Sequence, residues 1–102
     1  MTYACRLDAL TPDQRLRHQQ LLAEMTASLP IAIAETPHGF ELSYGLDGQT
    51  LLKLAEWIDY ERQCCPFATF TASVLPEAQR IVLVWAGDDP RAKAIIAAAI
   101  GR

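Results

Sequence analysis

The chain has 102 residues, of which 51% are hydrophobic and 21% charged, and this composition predicts a single soluble domain spanning residues 1–102. The net charge of −3 disfavours nucleic acid as a partner, because phosphate binding needs clustered Lys and Arg. No apolar run approaches the ~18 residues of a membrane span, and the N-terminus has no leader-like apolar block. We therefore expect a cytoplasmic protein with no membrane partner. Its three cysteines are an odd number, which disfavours a disulfide framework there and leaves free thiols, a metal site or a redox site.

The first third of the chain predicts a strand and then a helix. Residues 1–9 alternate apolar and polar side chains, which predicts a short strand with Cys5 on its apolar face. The sequence Thr-Pro-Asp-Gln from Thr11 is typical of a helix start with a capping box. That helix is expected to run to about Leu29, because Pro30 cannot continue it.

The rest of the chain alternates pairs of strands with helices. The predicted strands are 31–36, 40–44, 69–75 and 80–86, and the predicted helices are 48 to 64 or 65 and 91–100. The element order is then β-α-β-β-α-β-β-α, with turns between the paired strands. This order predicts an α+β two-layer sandwich, with a mainly antiparallel sheet and helices on one face.

The end of the second helix, EWIDYERQCCPF, holds two adjacent cysteines before a proline. Adjacent residues on a helix do not face each other, so the two thiols converge only if the helix breaks. Pro66 predicts that break, since it moves Cys65 towards an extended conformation. Glu61 lies three residues before Cys64 and four before Cys65, within reach of both thiols. On a helical wheel one apolar stripe contains Leu51, Leu54, Ala55, Ile58 and Cys65.

The charges around the doublet favour a metal ion over a reactive thiolate. A helix C-terminus and the nearby Glu61 both disfavour negative charge on sulfur, unless a cation or Arg62 compensates. A soft metal ion supplies that positive charge and deprotonates its ligands. If the first strand lies beneath the end of the helix, Cys5, Cys64 and Cys65 form a three-thiolate pocket for Cu(I), Zn(II) or another thiophilic ion. His18, in the apolar stripe of the first helix, is an auxiliary ligand or proton carrier.

Other interpretations of the same residues stay open. A Cys64–Cys65 disulfide would be strained, because neighbouring Cα atoms are ~3.8 Å apart and disulfides usually need ~4.4 Å or more. Cys5 alone is more typical of a core thiol, and Glu61 has Arg62 as an alternative partner. The aromatic residues of this region are expected in the core: Trp57, Phe67 and Phe70. The second histidine, His38, is expected in a turn.

The motif Glu61-Arg62-Gln63-Cys64-Cys65-Pro66-Phe67, with the aromatic strand start Phe70-Thr71 and the early Ala4-Cys5, resembles a family of small, largely uncharacterised bacterial proteins. The resemblance runs along nearly the whole chain. Similar segments occur attached to or near MerR-type metal-responsive regulators and mercury-resistance genes. The resemblance implies binding of a thiophilic metal by Cys5, Cys64 and Cys65. This chain has no helix-turn-helix, so a regulator role is not implied.

Three hypotheses follow. The first is a cytoplasmic soft-metal-binding protein for Hg(II), Cu(I) or a related ion such as Zn(II), with Cys5, Cys64 and Cys65 as ligands. The second is a thiol redox protein or enzyme acting on a small thiol-reactive ligand, in which one of Cys64 and Cys65 attacks, the other resolves and Glu61 moves the proton. The third is a structural homo-oligomeric accessory domain with buried cysteines. The alanine-rich last helix and Trp85 suggest an apolar surface for a homodimer.

Overall fold

The computed structural model describes residues 6–102, apart from the side chain of Leu7. The predicted first strand, with Cys5, falls mainly on residues 1–5 and lies outside the described residues. Its last part forms a 3₁₀ turn, Leu7–Ala9. From the first helix onwards, the elements follow the predicted order.

Helix α1 spans Pro12–Ala23 and begins at the predicted capping box. Thr11 Oγ1 accepts the backbone N–H of Gln14, and the Gln14 side chain accepts that of Thr11. The chain continues without a break into a π-helical turn, Glu24–Ser28, which Pro30 follows as the first residue of a strand.

Four strands form one antiparallel sheet: β1 Pro30–Thr36, β2 Gly39–Gly45, β3 Thr69–Leu75 and β4 Arg80–Ala86. Their spatial order is β1-β2-β4-β3, so the two hairpins meet at β2 and β4. The sequence predicted both hairpins, but not which of their strands would meet.

Helices α2, Gly48–Cys64, and α3, Pro90–Ala99, complete the fold. Asp47 and Asp89 cap them, as aspartates commonly do at helix starts. The helices cover one face of the sheet, so the predicted α+β two-layer architecture is confirmed. Within residues 6–102, no helix has the length and apolarity that a membrane crossing requires.

The core forms between the helices and the alternating inward side chains of β2 and β4. Trp57 of α2 packs edge-on against Phe70 and Trp85, with ring centroids 5.8 and 5.1 Å away. Trp57 and Phe70 are therefore core aromatics, as expected. Trp85 is only 2% exposed. The prediction that Trp85 contributes to an apolar surface for a homodimer is therefore wrong. The homodimer itself stays a prediction.

The buried face of α2 is rotated relative to the predicted stripe. Leu51 and Ala55 are exposed, while the buried positions are Thr50, Leu54, Trp57, Glu61 and Cys64. The predicted stripe was wrong because the helical wheel considers only the hydrophobicity of the helix's own residues. The sheet below supplies aromatic partners for Trp57, and this contact brings Glu61 and Cys64 inward.

Candidate metal centre

Two ion pairs hold α1 and the π-helical turn that follows it beside α2. Arg17 donates to both carboxylate oxygens of Glu56 at 3.0 Å, and Lys53 donates to Glu24 at 3.4 Å. The hydrogen bond from Arg17 is the main cause that lowers the pKa of Glu56. A bidentate pair of this kind fixes orientation as well as distance. The residue after Arg17, His18, is thereby turned towards α2.

Glu61 is the hub of the site. It is 2% exposed, and its Oε1 accepts from His18 Nε2 at 2.7 Å and from Trp57 Nε1 at 3.1 Å. The alternative pairing with Arg62 is wrong, because Arg62 lies on the exposed side of the helix and bonds Asp59. Arg62 therefore does not compensate charge at the thiols.

The two thiols meet where α2 ends. Cys65 has φ −127° and ψ 68°, so it leaves the helix before Pro66 as predicted. The Cys64 and Cys65 sulfurs lie 3.9 Å apart, and both residues are buried. This separation is far longer than the ~2.05 Å of a disulfide, so no disulfide joins Cys64 to Cys65.

The donor atoms of α1 and α2 converge at these thiols. Cys64 Sγ lies 4.0 Å from His18 Nε2 and 4.0 Å from Glu61 Oε2. One ligand atom each from His18, Glu61 and Cys64 falls within 4.8 Å of the others, and all three residues are buried. Tetrahedral zinc places neighbouring N, O and S donors about 3.3–3.8 Å apart, given its bond lengths. The arrangement therefore brings three donors close to the spacing of a zinc site, with the Cys65 sulfur 3.9 Å from that of Cys64.

The same geometry disfavours a catalytic relay through histidine. In a nucleophile–base–orienter triad, the two ring nitrogens contact different partners. Here both Glu61 and Cys64 face Nε2 of His18, while Nδ1 has no hydrogen-bond partner among residues 6–102. When Nε2 carries the proton that Glu61 accepts, that nitrogen has no lone pair with which to activate the thiol.

Cys5, the expected third thiolate, lies outside the described residues, and its role as a ligand stays a prediction. The adjoining Arg6 donates its backbone N–H to the Cys64 carbonyl at 2.6 Å. The backbone N–H of Arg6 is thus held at the doublet.

The sequence analysis predicted His18 only as an auxiliary ligand, whereas in the structure it belongs to the central group of donors. The signal was present: a histidine in the apolar stripe of α1, and a glutamate one turn before the doublet. What the sequence lacked was the pairing of these two residues, which lie 43 positions apart.

Comparisons with family models, with curated proteins and with solved structures found no match to the chain. The resemblance carried by the Glu-Arg-x-Cys-Cys-Pro-Phe motif stays a prediction.

Proposed function

We propose that this protein binds a thiophilic metal ion through the Cys64 and Cys65 thiolates, with His18 and Glu61 as the remaining donors. One observation carries the proposal: ligand atoms of His18, Glu61 and Cys64 converge in the interior, where Glu61 is 2% and His18 5% exposed. The Cys65 sulfur lies 3.9 Å from that of Cys64. Buried polar groups of this kind normally occur only where they have partners or hold an ion.

The local electrostatics support an ion. The Glu61 carboxylate is buried beside two thiols at a helix C-terminus, where the helix dipole adds partial negative charge. A bound cation offsets this charge and allows both thiols to ionise. The same environment without an ion keeps the thiols protonated and slow to react.

The donor set points to a class of ion. Imidazole, carboxylate and two thiolates together suit Zn(II), whereas Cu(I) and Hg(II) are satisfied by the thiolates. Cys5 is proposed as an additional thiolate that would strengthen the site for the softer ions. A reducing compartment keeps such thiols available, so we place the protein in the cytoplasm.

Titration with Zn(II), and with Co(II) as its visible analogue, followed by native mass spectrometry tests this function. We expect one ion per chain in the wild type, a thiolate-to-cobalt absorption band, and loss of both in Cys65→Ser. His18→Gln should weaken binding by about 10–100-fold. The matched control is His38→Gln, at the exposed turn between β1 and β2, which should bind like the wild type.

Equal stoichiometry and affinity in wild type and Cys65→Ser would contradict the metal site. The thiol redox function is the second candidate, favoured by the 3.9 Å contact between the sulfurs. It would gain support if no ion binds and mild oxidation joins Cys64 to Cys65.

A further inference from the structure

Strand β3 forms one edge of the sheet, and its outer side has no neighbouring strand. Among residues 6–102 it pairs with β4 alone, because the strand order ends at β3. Every residue of β3 except the half-buried Phe70 is exposed, and Val74 and Leu75 are 45% and 43% exposed. The N–H and C=O groups along such an edge are a template on which another strand can pair.

The opposite edge, β1, carries the features that usually prevent a strand edge from pairing. It begins at Pro30, and its register with β2 shifts between Pro30 and Ala32. Glu35 adds a charge, and Lys93 of α3 bonds the Glu35 carboxylate and the Thr36 carbonyl, both at 2.8 Å. The sequence of β3, TFTASVL, contains no charged residue, proline or glycine, and its register with β4 is continuous. Of the two edges, β3 is therefore the one open to pairing.

The helices also leave the second half of β3 uncovered. Ala72 and Val74 lie opposite Leu83 and Ile81 of β4, so these four side chains point to the same face of the sheet. Leu83 and Ile81 are fully buried in the core, whereas Ala72 and Val74 are exposed. An apolar strip thus lies beside the core at this edge, and one further strand would bury it.

We propose that the β3 edge is a homodimer interface, in which β3 pairs antiparallel with β3 of a second copy and joins the two sheets into one of eight strands. A two-fold axis at Ala72 gives the antiparallel register that pairs all seven residues of the strand. In this register Phe70 of one copy faces Val74 of the other, and Thr71 faces Ser73. Aromatic residues opposite β-branched ones, and hydroxyl residues opposite each other, are favourable cross-strand pairs.

The chemistry of the edge favours a second copy as the occupant. Each chain has a net charge of −3, but β3 itself is uncharged, so self-pairing sets no like charges opposite each other within the strand pair. Phe70 of each copy covers the exposed Val74 of the other, so one contact buries both apolar strips. A single pair of strands is small for a specific interface, and we therefore expect a Kd of about 10–100 µM.

Sedimentation velocity between about 5 and 500 µM brackets this Kd. EDTA and a reducing agent ensure that neither an ion nor a disulfide joins the chains, so the result is independent of the proposed metal site. We expect the wild type to pass from monomer to dimer. Ala72→Lys and Ala72→Glu each set like charges opposite each other at the axis and should weaken the dimer about fivefold or more. An equimolar mixture of the two variants sets opposite charges there and should associate at least as tightly as the wild type.

Ala34→Lys, at an exposed position of the other edge strand, is the matched control and should dimerise like the wild type. Circular dichroism of each variant reports the fold, and association on mixing shows that both variants are folded. A wild type that stays monomeric at the highest concentration would overturn the proposal. So would a dimer that Ala72→Lys leaves unchanged, or a mixture that associates no better than the separate variants.

Discussion

Glu61 defines the site at the scale of single residues. Its Oε1 accepts two hydrogen bonds, and its Oε2 lies 4.0 Å from the Cys64 sulfur. The helix spacing predicted that Glu61 would reach the thiols. It did not predict His18 or the indole of Trp57 as partners. The His18 contact is a tertiary one, and local patterns contain no information about it.

Removing the Glu61 side chain should destabilise the protein strongly. Glu61→Ala leaves His18 Nε2 and Trp57 Nε1 buried without acceptors, which should lower the free energy of unfolding by about 2–4 kcal/mol. Glu61→Gln keeps a carbonyl acceptor and should cost less than about 1.5 kcal/mol while removing the carboxylate charge. Urea unfolding of the metal-free variants measures both values.

The exposed Glu77 provides the control for that series. Glu77→Ala should change stability by less than about 0.5 kcal/mol, as surface substitutions usually do. Similar losses in Glu61→Ala and Glu61→Gln would show that the acceptor role assigned to Glu61 is wrong.

At the scale of elements, helix ends were the most predictable features of the chain. Capping residues and prolines are local signals, so they indicated the starts of α1, α2 and α3 to within a residue. The buried face of α2 was less predictable, because the packing of Trp57 on the sheet decides its rotation. Local signals therefore predicted where α2 ends but not which of its side chains point inward.

Pro66 ends α2 and sets the direction of the second thiol. In Pro66→Ala, Cys65 is free to continue the helix, where successive side chains point about 100° apart. The two sulfurs should then diverge, and we expect ion affinity to fall by about 10–100-fold. The Tm should hardly change, since Pro66 is exposed.

Isothermal titration with Zn(II) measures this effect, and thermal melts report the fold. Pro37→Ala, in the exposed turn after β1, is the matched proline variant and should keep wild-type affinity. An unchanged affinity in Pro66→Ala would mean that the doublet converges for a reason other than the proline.

The cap of α2 makes stability depend on pH. Hydrogen bonds from the Thr50 hydroxyl, and then from the backbone N–H groups of Gln49 and Thr50, hold the pKa of Asp47 below its usual value. A carboxylate with a depressed folded-state pKa contributes stability above its unfolded pKa of about 3.9. That contribution is lost as the pH falls through the lower, folded-state value.

We therefore expect the Tm difference between pH 6 and pH 3 to be smaller in Asp47→Asn than in the wild type, because Asn still caps the helix but does not titrate. Circular dichroism melts at the two pH values measure this difference. Asp13→Asn serves as control, since Thr11 rather than Asp13 caps α1. Identical pH responses of wild type and Asp47→Asn would contradict the cap's role.

At the scale of the whole molecule, the sequence predicted the α+β class but not the order of the strands in the sheet. The pairing of β2 with β4 depends on contacts between distant segments, which no short pattern encodes. The proposed metal site also depends on contacts between distant segments. Its thiols are local, whereas His18 approaches them only after α1 has packed on α2.

The proposed site combines two thiols that are adjacent in the sequence with His18, which lies far from them in the sequence. This combination would link ion binding to the folding equilibrium. Cys64 and Cys65 remain neighbours in the unfolded chain, so an ion satisfied by two thiolates binds folded and unfolded forms alike and stabilises neither strongly over the other. An ion that also requires His18 and Glu61 binds only the folded form, and its binding free energy adds to stability by mass action. If the proposed site binds an ion, the fold would therefore be stabilised only by ions that need donors beyond the two thiolates.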